Sequence, residues 1–376
     1  MLNGDLTNGV YSLRVKAGTS PETGSRATRR QAVRDLLSKN LPRWDLDKDG
    51  KVQPREVDQF VSDPEIDGLD AATLATLKWS FKKFPDLSDG INASNLFCGK
   101  EHYGMDVLER FETYREGLDR SDALFEGGLP DPDSIKQGMR GSCALLSGLT
   151  VQARQDPGKL VDSVREESFG YRVAFSSFDE FVSKPTPTER LTGAWSNGIW
   201  ATVFEKAMAQ QNPKNLFPSG DVYDYLDRGL SPTEVIYELS GDETTEILSL
   251  GALPKPNQAA LLAETALPFP ALMMVAHEAL SKGVEEGRVM MAASSRNPRT
   301  SDLSQGSHAY AITDYDSEKL EVTLRNPWGK QDLKGLKGVS EDDVDDGIFK
   351  ASLEGFLNNF HTLSVGSEES DYYRGR

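Results

Sequence analysis

Gln137-Gly138-Met139-Arg140-Gly141-Ser142-Cys143-Ala144-Leu145-Leu146-Ser147-Gly148 is the stretch whose reading decides the fold. A glycine-containing turn runs into a cysteine, and the cysteine leads into the small and apolar residues of a buried helix. The thiol is therefore expected on the first helical turn. There the unpartnered backbone N–H groups and the positive end of the helix dipole favour thiolate over thiol. Just upstream, Gln137 can bring a carboxamide N–H beside the Cys143 backbone N–H, giving two donors for a developing oxyanion. Taken alone, the segment also reads as a structural cysteine on a core helix, since free cysteine is among the most buried residue types.

Two downstream segments weigh in favour of chemistry: Gly306-Ser307-His308-Ala309-Tyr310-Ala311-Ile312 and Leu324-Arg325-Asn326-Pro327-Trp328-Gly329. A cysteine nucleophile needs an imidazole to take its proton and later protonate the leaving amine, and the imidazole needs a third group to hold its ring. His308 and Asn326 fit these roles. Strand character on both sides of the turn Asp316-Ser317-Glu318-Lys319 predicts a hairpin with both residues at one rim. His102, His277 and His361 are the other histidines, and none has an asparagine strand behind it.

The order Cys, His, Asn is the papain-type arrangement, and the motifs QGxxGxC, GxHAYxI and LRNPWG together resemble the calpain family of cysteine proteases. Gly198-Ile199-Trp200, Glu205-Lys206-Ala207, Asp345-Asp346-Gly347-Ile348-Phe349 and Leu353-Glu354-Gly355-Phe356-Leu357 add scattered matches, so the resemblance spans most of residues 120–366. It implies an α+β, papain-like core of two subdomains, helical around Cys143 and β-rich around His308. It also implies that Trp328 shields the Asn–His hydrogen bond. The sequence departs from the calpain pattern at Ser142 and Ala144, which flank the cysteine where an acid and a tryptophan are usual. Ser307 stands before the histidine in place of glycine, and Ile348 replaces an acid after Asp346-Gly347. No calcium site is assigned inside the protease core.

A second motif lies near the start. Asp45-Leu46-Asp47-Lys48-Asp49-Gly50-Lys51-Val52-Gln53-Pro54-Arg55-Glu56 fits the EF-hand calcium loop. Hard Ca²⁺ takes about seven oxygens. Asp45, Asp47 and Asp49 supply carboxylates, Lys51 its backbone carbonyl, Gln53 a side chain or a water, and Glu56 two oxygens from the exiting helix. Gly50 permits the sharp turn, Val52 is expected to contact a partner loop, and Pro54 suits a first helical turn. The following helix has Leu69, Leu74, Leu77, Phe81 and Phe84 as its apolar positions. The partner loop Asp86-Leu87-Ser88-Asp89-Gly90-Ile91-Asn92 keeps an Asp-Gly-Ile core, but it is short and has Leu96 where a chelating acid is wanted. It reads as a structural partner.

The predicted organisation is a flexible arm over 1–26, an EF-hand unit over 27–115, a catalytic core over 116–366 divided near 270, and a polar tail over 367–376. Segments 288–293, 308–313 and 320–324 are expected as strands, 349–360 as a helix, and 362–365 as the strand that closes the sheet. A net charge of −17 argues against nucleic acid or an anionic membrane as partner and suits bound cations. Cys98 and Cys143 are too few for a disulfide framework or a cysteine-based zinc site. No stretch approaches the roughly 20 apolar residues of a membrane span, and the start lacks the plan of a secretory signal. The expectation is a cytoplasmic cysteine endopeptidase acting on proteins or peptides, with Cys143, His308, Asn326 and Gln137 as its catalytic residues and Ca²⁺ as its cofactor. The alternative is an inactive calcium-sensing adaptor on the same fold. Oligomeric state is not readable.

Overall fold

Ser25 opens the first helix by accepting a hydrogen bond at its Oγ from Thr28 N, so α1 runs over Arg26–Trp44 and begins slightly before the apolar period is legible. The computed structural model describes residues 25–97, 103–211, 222–248, 267–294, 308–330, 336–340 and 344–367. Nearly all of the expected arm and tail, together with Cys98, His102, Gly306 and Ser307, lie outside the described residues.

The N-terminal unit packs α1 with α2 (Pro54–Phe60), α3 (Gly68–Lys83) and α4 (Tyr103–Gly117). Its core holds Leu37, Trp44, Leu74, Leu77, Phe111 and Tyr114. Each fully buried large apolar side chain contributes about 1.5–3 kcal/mol relative to exposure. The loops after α1 and after α3 join through a reciprocal pair of 2.8 Å bonds between Val52 and Ile91. Gly90 makes the approach feasible, because at φ +104° a Cβ would come within 2.9 Å of Lys51 Cβ. Leu96, at the position that would want a chelating acid, is a core residue only 2% exposed. Leu69, expected to be apolar and inward, sits in the first turn of α3 and is 41% exposed.

Next comes α5 (Cys143–Gln155), buried at every residue from Ala144 to Ala153. Around it lie α6 (Pro157–Asp162), the antiparallel sheet β1 (Val164–Glu167), β2 (Gly170–Ala174) and β3 (Asp179–Ser183), then α7 (Pro187–Thr192), α8 (Trp200–Gln210), the short α9 (Asp224–Asp227) and α10 (Pro232–Ser240). Proline stands in the first turn of α6, α7 and α10, where its missing N–H costs nothing.

Among the described residues the remaining strands form one antiparallel sheet: β4 (Glu243–Leu248), β5 (Met290–Ser294), β6 (His308–Asp316), β7 (Glu321–Arg325), β8 (Ile348–Ser352) and β9 (Thr362–Ser367). The order is β4-β9-β5-β6-β7-β8. Side chains alternate as the pleat requires. Ala309 and Ala311 join the core around α5, whereas Tyr310 and Ile312 join the core under α11 (Phe269–Glu285) and α12 (Leu353–Asn359). The molecule is thus a mixed α+β protein with two sheets. No helix of the described residues is long and apolar enough to cross a membrane.

Three local expectations change. The segment expected as helix over 349–360 begins as strand β8, because Phe349 and Ala351 point inward while Lys350 and Ser352 are exposed. The helix starts only at Leu353, where Ser352 Oγ accepts from Gly355 N. The strand at 362–365 does form, but β9 lies inside the sheet between β4 and β5. β4, for which no element was expected, joins this sheet from before the division expected at 270.

The N-terminal unit is fastened to α7. Ser62 Oγ donates to Glu189 Oε1 at 2.7 Å, and Thr186 Oγ1 donates to Val61 O at 2.7 Å. Glu189 Oε2 pairs with Lys206 Nζ at 2.7 Å, with both side chains buried. Lys206→Met leaves that carboxylate buried without its cation, and the expected loss is about 3–5 kcal/mol of unfolding free energy by denaturant titration. Lys206→Met combined with Glu189→Gln recovers part of it.

Candidate active site

Cys143 is the first residue of α5, and the turn before it is held from several sides. Ser142, the N-cap residue, donates its hydroxyl to Glu205 Oε1, while Glu205 Oε2 accepts from Ala194 N at 2.6 Å. Met139 N donates to Thr192 O at 2.8 Å. Gly138 lies flat on the same backbone, where a Cβ would fall 2.1 Å from Gly193 O. Glu205 is fully enclosed, and burial raises its carboxyl against the opposing pull of Ser142, the Ala194 N–H and Arg140.

On the other side α5 lies against β6, with Ser147 Oγ donating to Ala309 O at 3.2 Å. This puts Cys143 beside the Ala309 backbone, one residue from His308. Burial pushes the Cys143 thiol up, and backbone hydrogen bonds from Ala309, Ala144 and its own residue pull it partly back. Enclosure thus works against the thiolate that the helix start favours.

His308 opens β6 and Asn326 directly follows β7, so the hairpin aligns them as the spacing predicts. His308 Nε2 lies 3.0 Å from Asn326 Oδ1. That oxygen also accepts from Trp328 N at 3.1 Å, which fixes the orientation of the amide. An amide oxygen has no proton to give, so Nε2 is the protonated ring nitrogen and Nδ1 is the one able to act as base. Trp328 leans on the imidazole with ring centres 4.7 Å apart, and Tyr310 meets it edge-on at 4.7 Å. Burial lowers the His308 pKa, and the bond to Asn326 partly offsets this.

Gln137 enters the same place through its backbone, donating N–H to Pro327 O at 2.8 Å. Its Nε2 donates to Arg140 O at 2.6 Å, leaving one carboxamide hydrogen for another acceptor, and its Oε1 is buried without a partner. The structure therefore brings Cys143, His308, Asn326 and Gln137 to one locus. His277 and His361 stand apart: His277 Nδ1 meets Tyr315 Oη at 2.7 Å, and His361 bonds Ala293 O through its backbone.

Two residues quoted within the motifs, but given no role there, support the site. Arg325 is 2% exposed and donates Nη2 to Asp133 O and Ile135 O, both at 2.8 Å, clasping the segment before Gln137 to β7. Burial lowers its pKa, and Asp133 opposes the shift. An arginine on a strand reads as a surface residue, and only its place beside Asn326 hinted otherwise. Glu205 gave no more signal than a charged residue on an apolar helix.

The acidic loop between α1 and α2 is the second candidate site. Carboxylate oxygens of Asp45, Asp47 and Asp49 lie within 4.8 Å of one another. Asp45 accepts from Asp49 N at 3.1 Å and Gly50 N at 2.8 Å, so the loop backbone wraps the cluster. Gly50 takes φ +86°, the left-handed turn expected of it. Glu56 is directed to backbone N–H groups, accepting from Leu46 at 2.6 Å, Asp47 at 3.2 Å and Gln53 at 2.8 Å. Gln53 Nε2 donates to Asp49 Oδ2 at 2.7 Å, while its Oε1 is buried without a partner. An all-oxygen donor set with one orphaned acceptor fits a hard cation.

Two titrations follow from this geometry. Alkylation of Cys143 by iodoacetamide rises with pH only above the ordinary thiol range near ~8.5. In Asn326→Ala the imidazolium loses an acceptor, so the His308 pKa falls further below its usual value, as read by NMR of the ring protons. Comparison with models of known protein families and with curated proteins found no match for this chain.

Proposed function

We propose that the chain is a calpain-like cysteine endopeptidase on a papain-like two-subdomain core, with an N-terminal EF-hand unit that holds Ca²⁺. The observation that carries this reading is the 3.0 Å His308–Asn326 bond at the start of a strand that lies against the Cys143 helix. It leaves Nδ1 as the ring nitrogen able to take a thiol proton. Cys143 Sγ gives that proton to His308 Nδ1 and attacks the scissile carbonyl carbon. The carbonyl oxygen, now negative, is held by the Cys143 backbone N–H and the remaining Gln137 carboxamide N–H. Collapse breaks the C–N bond, and His308 returns the proton to the leaving amine. Water, deprotonated by His308, then hydrolyses the thioester and regenerates the thiol. Burial opposes each of the two charges that this transfer creates, so their mutual attraction has to offset it, with Asn326 steadying the imidazolium.

Asp45, Asp47, Asp49, the Lys51 carbonyl, Gln53 and Glu56 are the residues that would hold Ca²⁺, which supplies cross-linking charge to a loop of like-charged carboxylates. A second reading, an inactive calcium-binding adaptor, draws on one observation: Gln137 Nε2 bonds Arg140 O within its own turn. Labelling by a peptidyl thiol-directed electrophile separates the two, since the adaptor has no occupied substrate cleft to speed it.

Cys143→Ala and His308→Ala are expected to abolish cleavage of a mixed peptide library while the fold persists, and wild-type rates in either variant exclude this site. Asn326→Ala lowers turnover less severely. Gln137→Ala lowers kcat by about 10²–10³ with little change in KM. For the loop, Glu56→Gln is expected to weaken Ca²⁺ binding sharply, as measured by calorimetry, because a carboxylate of the donor set is lost.

A further inference from the structure

The turn Gln137–Ser142 is gripped by the N-terminal unit as well as by its own half of the molecule. Lys82, in the last turn of α3, donates Nζ to Met139 O and lies 3.6 Å from Asp227 Oδ1. That same Asp227 oxygen accepts Gly141 N at 2.7 Å. One ion pair therefore holds the carbonyl before Arg140 and the N–H after it. The Met139 side chain packs against the core of the N-terminal unit, where the hydroxyl of buried Tyr114 donates to its sulfur at 3.2 Å. The carbonyl between these held groups, Arg140 O, is the acceptor of Gln137 Nε2, and Cys143 begins its helix two residues past Gly141.

Catalysis of acyl transfer is sensitive to displacement of oxyanion donors by fractions of an ångström. The glycines that let this turn lie flat on Gly193 and on the Leu226–Asp227 backbone contribute no side chains of their own to hold it. Beyond the Gln137–Arg140 bond, its rigidity comes from neighbours. Lys82 is well suited, because the chain after it passes through Pro85–Leu87 directly to Ile91, the residue bridged to Val52 in the acidic loop.

We propose that Lys82, with Met139 seated beside Tyr114, is a positioning residue by which helices α3 and α4 hold the Gln137–Ser142 turn in register for the Cys143 nucleophile. This rests on the endopeptidase reading above. Lys82 touches no reacting atom and acts through the backbone of the turn. It also makes the N-terminal unit part of the working site.

The full-length chain tests this with Lys82→Met, Lys82→Arg, Asp227→Asn and the double variant Lys82→Met/Asp227→Asn. Lys82 is half exposed, so these proteins are expected to fold, and circular dichroism melts check it. Lys82→Met is expected to lower kcat about tenfold with KM within about twofold, and Lys82→Arg to restore most of the loss. The double variant falls no further than the worse single one, because both act through one ion pair. An unchanged kcat in Lys82→Met, or a loss that Lys82→Arg does not recover, overturns the proposal. Iodoacetamide labelling of Cys143 supplies a readout independent of peptidase activity. If the wild-type chain cleaves no peptide, the endopeptidase reading fails. A labelling rate altered in Lys82→Met and restored in Lys82→Arg then still upholds the positioning role, and an unaltered rate overturns it.

Discussion

A helix can lie close enough to a strand to share a reactive pair only where the side chains between them are small. That constraint sets the relation of α5 to β6. Ala309 and Ala311 face the helix, Ser147 spends its hydroxyl on the strand carbonyl at 3.2 Å, and Gly148 lets α10 approach so closely that a Cβ there would meet Val235 at 2.6 Å. With a larger residue at any of these positions the helix would ride outward, and its first residue would leave the level of His308. Packing density thus fixes how closely the Cys143 helix lies on the His308 strand.

A second constraint acts across the chain. The segment that leads to Gln137 carries backbone groups with no sheet of its own, and they are satisfied by borrowing: Lys136 exchanges bonds with Trp195, Gln137 N reaches Pro327 O, and buried Arg325 answers two carbonyls of residues 133–135. Buried backbone groups left unpaired would cost about 1–3 kcal/mol each, so the borrowing also makes the segment cohere with the sheet. Asn326 sits at the centre of this exchange, its N–H on Gly347 O and its side-chain oxygen shared between His308 and Trp328.

Much of the site was legible because motif residues lie at element boundaries, where local chemistry is most explicit. Cys143 starts a helix, His308 starts a strand, Asn326 ends one, and Gly50 turns the acidic loop at positive φ. The mistakes fell where a short apolar run carries no period of its own. Residues 349–352 looked like the first turn of a helix because Leu353, Phe356 and Leu357 continue it, and only the pairing with β7 reveals the alternation. β4 is Glu- and Thr-rich and becomes a strand through its partner β9, which no local pattern announces. Charge states were the least legible, since the depth that raises the Cys143 thiol and lowers His308 is a property of the assembled core.

The position of β9 inside its sheet has a consequence in time. It is the last strand in sequence among the described residues, yet β4 pairs with it alone and β5 borders it on the other side. During synthesis β5 to β8 can assemble as a local meander, but β4 has no neighbour until residues 362–367 have left the ribosome. A nascent chain therefore holds the Cys143 helix and the His308 strand before β4 and β9 join the sheet. Its core under α11 becomes complete only when β9 is in place.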